Sequence, residues 1–215
     1  MLRLSILPII ILVAGGCSNS RNTNPPAKGE KKLVVDAAYC EKYQVREAHF
    51  SANIPEILID EGPVEGEANP AYAYYSLVKP QEGASDSVQA EFISIGPFWN
   101  NSGGIAEESL IKSTLGQMTG YLEQAGYTFK EQQISKATFN GKEYWQLRAK
   151  GSVDNIETRM KGDYIILAVI LPPEGSSPNG LFIMMGANQD SPIRSFEDFA
   201  EKGTISGIWK TIQFN

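Results

Sequence analysis

The hydrophobic period of this chain changes twice, and that change limits its fold more than any other feature. Apolar residues alternate with a period of two up to Phe98. From Ile105 to Ala125 they follow a helical period, with Ile111, Leu115, Met118, Leu122 and Ala125 at spacings of four, three, four and three. From Thr128 to Ala187 the period of two returns. One long amphipathic helix is therefore predicted between two groups of strands. Asn101 or Ser102 suits its N-cap, Glu107 and Glu108 suit the positive end of its dipole, and Gly126 suits its stop. Gly116 and Gly120 lower helix propensity but lie four apart on one stripe, which predicts close packing against a sheet.

Before the helix, strands are predicted at His49–Ile54, ended by Pro55, at Tyr72–Val78, ended by Pro80, and at Val88–Phe98. Phe92 and Ile93 point to opposite faces of the third, so that strand is expected to be covered on both sides. Glu56–Pro70 reads as a loop. After the helix, Thr128–Thr138 and Glu143–Lys150 flank Asn140-Gly141, a strong hairpin signal. Asn155–Lys161 and Tyr164–Leu171 flank Gly162-Asp163, read as a second tight turn. Tyr164–Leu171 is apolar throughout and should be central. A loop from Pro172 to Gly180 leads to a further buried strand, Leu181–Ala187. Phe196, Phe199, Ile205, Ile208, Trp209 and Ile212 return to helical spacing, broken at Gly203. The order predicts an α+β fold: a mainly antiparallel sheet of about six to seven strands with helices packed on it.

The N-terminus places the chain. Arg3 precedes an apolar run from Leu4 to Ala14, too short for the roughly 20 residues a spanning helix needs. Small residues then lead to a cysteine, as at a signal-peptide cleavage site. Ala14-Gly15-Gly16-Cys17 resembles the lipobox of bacterial lipoproteins, with Ala14 where the box usually has Leu. The resemblance implies residues 1–16 as a lipoprotein signal peptide and Cys17 as the site of lipidation, with acyl chains such as palmitate. It implies a protein of the cell envelope, held to a membrane through a lipid anchor. Ser18 after the cysteine resembles outer-membrane delivery, with the inner membrane or the cell surface as alternatives. Residues 17–32 form the lipidated cysteine and a polar tether containing Pro25-Pro26, and 33–215 form a single domain.

That domain is long enough to bury roughly 70% of its unfolded surface. The chain has 19 Lys+Arg and 25 Asp+Glu; setting aside Arg3, the tether cations Arg21, Lys28, Lys31 and Lys32, and Glu30 leaves 14 and 24, a net of −10. Such acidity argues against nucleic acid as a partner, since phosphate binding needs clustered cations. With Cys17 lipidated, Cys40 has no cysteine to pair with, and its apolar setting predicts a buried, inert thiol.

Several phrases resemble the PsbP/Mog1-like superfamily: FSANIPE (50–56), YLEQAGY (121–127), TFNGKEYWQLRA (138–149), KGDYIILAVIL (161–171) and the closing SFEDFAE…ISGIWKTIQF. The resemblance spans about Tyr43 to Phe214. It implies an α/β/α sandwich around an antiparallel sheet, and a binding or assembly factor without a shared catalytic set. No functional residue is carried over by it.

The residues themselves supply little catalytic chemistry. His49 is the one histidine, which excludes zinc sites built on several histidines. A hydrolase would have to use His49 with nearby acids, and no G-x-S-x-G accompanies it. The carboxylate pairs, such as Glu107-Glu108 and Glu197-Asp198, read as caps or solvated faces. No cofactor or metal is called for, and no catalytic residue is assigned. The preferred site for a protein or small ligand is the strand-to-helix link, with Phe98, Trp99, Asn100 and Asn101 as candidate contacts. Tyr72, Tyr74 and Tyr75 are read as packing or as a second binding face. The expectation is a non-catalytic envelope binding or assembly factor. The alternatives are a hydrolase on His49 and a structural subunit of an envelope complex.

Overall fold

A computed structural model of the chain describes residues 28–63, 71–80, 87–99, 107–139, 142–155 and 159–215. It shows an α+β fold. A strand β1 (Glu30–Val35) leads to helix α1 (Ala37–Tyr43) and strand β2 (Phe50–Pro55). Then come β3 (Ile59–Gly62), β4 (Ala73–Pro80), β5 (Ser87–Phe98) and the long helix α2 (Glu107–Gln124). Strands β6 (Thr128–Phe139), β7 (Lys142–Asn155), β8 (Met160–Leu171) and β9 (Gly180–Asn188) follow. A 3-10 turn at Glu197–Ala200, helix α3 (Ile205–Thr211) and strand β10 (Gln213–Phe214) finish the chain.

The main sheet has seven strands in the order β3-β4-β5-β9-β8-β7-β6, with every neighbouring pair antiparallel. After β5 the chain crosses one face as α2, starts again at the far edge with β6, and meanders back until β9 pairs with β5. The expected central strands, β5, β8 and β9, are all interior. Alternation assigns the faces. Phe92, Leu147, Ile166, Ala168 and Ile170 turn toward α2, which buries Ile111, Leu115 and Leu122. Ile93, Ile95, Leu167, Val169, Ile183 and Met185 turn the other way. There they meet Phe50, Ile54, Ile205, Ile208 and Trp209. That second layer is a small sheet, β1-β2-β10, together with α3.

The largest departures from the sequence reading lie in this second layer. The strand expected at His49–Ile54 belongs to the small sheet. Its partner β1 begins at Glu30, inside the stretch read as tether, so Glu30–Lys32 are paired with Asn53–Pro55. Helix α1, unforeseen, is capped by Asp36, whose carboxylate accepts from the Tyr39 N–H at 2.9 Å. It buries Cys40, which is 4% exposed. The stretch Glu56–Pro70 read as a loop contains β3. Gly162-Asp163 is not a turn: both lie within β8, opposite Val153 and Ser152, and the chain reverses between Asn155 and Met160. Gly116 and Gly120 do not serve close packing, because a Cβ at either would meet nothing within 4 Å. Asn101, Ser102 and Asn140-Gly141 lie outside the described residues.

Two close approaches lock the layers. Gly186 of β9 lies opposite Phe92 of β5, and a Cβ there would stand 2.0 Å from the Phe92 ring. The aromatic ring thus uses the space of the missing side chain. On the other face of β5, Glu91 is fully buried yet partnered. Its carboxylate accepts from the Thr204 N–H at 2.7 Å, the Ile205 N–H at 3.1 Å and the Ser191 hydroxyl at 2.9 Å. Gly203, at φ +77°, lets the chain pass so close that a Cβ would lie 2.9 Å from both carboxylate oxygens. A central strand is thereby tied to the first turn of α3, whose free N–H groups favour an anion.

Candidate functional site

One end of the sheet gathers most of the residues the sequence singled out. Strand β5 ends there, and its last residue and the one after it part company. Phe98 is 2% exposed, packed with Ile111, Leu115, Leu147 and Ile170 under α2. Trp99 leaves the strand on the other side and is 48% exposed. Asn100 and Asn101 lie outside the described residues. Of the two expected contacts that are described, Trp99 is exposed and Phe98 is a core residue. The tyrosines also sort by depth: Tyr72 and Tyr75 are buried, and burial pushes both phenols up. Tyr74 is half-buried and accepts from the Gln89 amide at 3.0 Å. They pack the fold.

The partner of Trp99 comes from the segment joining α1 to β2. Gln44 takes the left-handed conformation at φ 53° and caps α1, its N–H donating to the Cys40 and Glu41 carbonyls. The chain turns there and lays Arg46 over the indole, with the guanidinium carbon 4.0 Å from the ring centroid. A cation over an indole face is attractive, and stacking suits the planar guanidinium. The Asn179 amide fixes the same segment by donating to the Glu47 carbonyl at 2.8 Å.

Beyond Glu47 lies a second constellation. The His49 Nε2 is 2.8 Å from the Glu47 carboxylate, and Nδ1 is 3.1 Å from the Ser176 Oγ. The His49 backbone N–H donates to the Ser177 Oγ at 3.0 Å. His49 and Ser176 border a groove of about 440 Å³ with Lys32, Val34, Asp36 and Asn215 on its other sides. A Ser–His–Glu row has the composition of a nucleophile, base and orienting acid. The Glu47 carboxylate can only accept, so a neutral His49 donates from Nε2 and leaves Nδ1 as an acceptor facing Ser176. The Ser176 hydroxyl has one proton and two acceptors, that nitrogen at 3.1 Å and the Asn215 carbonyl at 2.8 Å, so the carbonyl competes with the imidazole for it.

A further aromatic, Trp145, sits farther along the same end at the start of β7. The Lys112 ammonium lies 4.2 Å from its centroid and the Lys136 ammonium 5.5 Å. Both lysines are also paired, with Glu108 at 2.8 Å and Glu143 at 3.0 Å. In α1, burial pushes the Cys40 thiol up, and its sulfur lies 3.9 Å from the Ala48 carbonyl. Arg46, Glu47, Ser176 and Trp145 were not singled out from sequence. Glu47 was open to detection, because residues two apart in an extended segment share a side. Ser176 and Asn215 reach His49 only through the fold.

No family model matches the chain, and no curated protein matches it. Among solved structures it is similar to cyanobacterial PsbP (CyanoP) from Synechocystis sp. PCC 6803. The TM-score is 0.48 at 9% identity, over 94% of this chain and 99% of that one. It is also similar to LpqN, involved in cell envelope biogenesis of Mycobacterium tuberculosis. Here the TM-score is 0.45 at 13% identity, over 86% of this chain and 91% of that one.

Proposed function

We propose that this chain is a lipid-anchored protein of the cell envelope, favouring the outer membrane, that acts without catalysis and holds a partner protein or small ligand at the rim centred on Trp99. The observation that carries the binding reading is the Arg46–Trp99 stack. A half-exposed indole with a guanidinium 4.0 Å from its centroid presents apolar area and hydrogen-bond donors side by side. Tryptophan and arginine are the side chains that most often dominate binding energy, and a pre-ordered pair loses little entropy when a partner arrives. The anchor reading is supported by the Cys17 sequence alone.

Two measurements test the reading. Wild type and Cys17→Ala are expressed in a bacterium that processes lipoproteins and followed by detergent partitioning and fractionation. Wild type is expected in the membrane and the variant in the soluble fraction; equal partitioning would refute the anchor. A photo-crosslinking residue is then placed at Gln44, exposed beside Arg46, and, as control, at Tyr121 on the outer side of α2. A discrete adduct at position 44, lost in Trp99→Ala, is expected. Identical adduct patterns at the two positions would refute the rim.

The row Ser176–His49–Glu47 favours a second reading, a hydrolase in which a substrate draws the Ser176 hydroxyl away from Asn215. A fluorophosphonate probe distinguishes it: labelling of wild type but not of Ser176→Ala or His49→Ala would establish the nucleophile. The non-catalytic reading expects no labelling of wild type.

A further inference from the structure

The geometry points to a membrane-facing corner: we infer that the turn after β2, with Ile57 at its tip and Ile59 beside it, lies in the bilayer interface when the protein is anchored. The inference rests on the lipid anchor proposed above and adds an orientation to it. Three observations converge on this corner. The first is where the described chain begins. The Glu56 N–H donates to the Gly29 carbonyl at 2.8 Å, so the segment arriving from Cys17 joins the domain at this turn. The second is exposure. Leu58 is buried at 5% and fixes the turn, leaving Ile57 at 70%, the most exposed of the large hydrophobic residues described, and Ile59 at 43%. The third is rigidity. Lys31 bridges β1 to β3 through Asp60 at 3.0 Å and lies over the Tyr75 ring at 5.3 Å, so both isoleucines belong to one braced surface.

Length supports contact. Residues 18–28 separate Cys17 from Gly29, and the covalent reach of that many residues is at most about 40 Å. A domain of this size has a radius of gyration of about 16 Å, so the corner is never far from the headgroups. At such an effective concentration a weak apolar contact suffices. The contact is apolar in kind. Lys31 is already paired, and the chain from Glu30 onward, with 16 Lys+Arg against 25 Asp+Glu and so a net charge of −9, gains nothing from anionic lipid. Ile57 and Ile59 would enter a zwitterionic phosphatidylcholine interface to the roughly 5–10 Å typical of interfacial side chains. The geometry also sets the height of the rim. His49 and Pro55 stand at opposite ends of β2, about 20 Å apart at strand rise, so Trp99 and Arg46 face away from the membrane.

The test uses full-length lipidated protein in phosphatidylcholine vesicles containing nitroxide-labelled phospholipid. Glu56→Cys and Tyr121→Cys are each labelled with an environment-sensitive fluorophore; Cys17 is blocked by its lipid and Cys40 is buried. Position 56 is expected to be quenched several-fold more than position 121. Adding Ile57→Asp to Glu56→Cys should bring quenching down to the level at 121, and added anionic lipid should not raise it. Equal quenching at 56 and 121 with the protein on the vesicles would overturn the docked corner while leaving the anchor intact. Failure of wild type to bind vesicles beyond Cys17→Ala would overturn the anchor, and the docking with it.

Discussion

Replacing Glu91 with alanine should be among the most damaging single changes in this protein, although the residue touches no candidate site. The carboxylate is fully buried on the central strand β5 and accepts three hydrogen bonds, from Thr204, Ile205 and Ser191. Bonds to an ionised acceptor contribute about 1.5–3 kcal/mol each, and the sum is offset by the cost of burying the charge. Breaking a buried, hydrogen-bonded charge by removing one partner typically costs about 3–5 kcal/mol. We expect about 4 kcal/mol for Glu91→Ala, which at about 2–4 °C per kcal/mol lowers the melting temperature by about 8–16 °C. Glu91→Gln separates charge from shape. Its carbonyl can still accept from Thr204 and Ile205 while its amide donates to Ser191, so it should cost about 1–2 kcal/mol. Urea unfolding of both variants in the Cys17→Ala background measures the two losses. Amide exchange over Thr204–Ile208 shows whether α3 loosens first. A Glu91→Ala loss below about 1 kcal/mol, or a Gln variant worse than Ala, would refute the lock.

Other outcomes follow from the same geometry. Gly116→Ala and Gly120→Ala should each stabilise the chain by about 0.5–1 kcal/mol, because the added methyl meets nothing and the helix gains propensity; thermal melts check this. Gly186→Ala should do the opposite, by about 2 kcal/mol or more, since its Cβ would stand 2.0 Å from the Phe92 ring; denaturant midpoints decide it. Cys40 should resist thiol reagents until the protein unfolds. Because burial raises the thiol above its ordinary range, moving to pH values where an exposed cysteine ionises should accelerate native labelling little.

The main sheet was legible because each of its interior strands carries its own signal. Tyr164–Leu171 is apolar on both sides, Val88–Phe98 alternates with both faces apolar, and Ile111, Leu115 and Leu122 mark a helical face. The second layer was not legible, for reasons that can be named. Strand β1 reads Glu-Lys-Lys before its apolar end, and those three residues are strand only because β2 supplies the partner. Helix α1 is seven residues long, too short to show a period. Gly162 has the composition of a turn, but tertiary pairing holds it inside β8 at φ +95°. At the site, Trp99 stood out by type and position. Arg46 did not, since an arginine in a polar link carries no mark of the ring it covers. Ser176, 127 residues from His49, was beyond any local reading.

The pairing of β5 with β9 has a consequence for when this protein can fold. β5 is complete at residue 98, yet the strand that covers its open edge begins at Gly180. Its Glu91 finds its backbone donors only once Thr204 and Ile205 exist. Strands β3, β4 and β5 alone therefore make an unfinished sheet, with one edge open and the Glu91 carboxylate uncovered. Closing so distant a pair is slow compared with forming a helix or a hairpin. A growing chain is thus kept from reaching its final state until nearly its whole length is available.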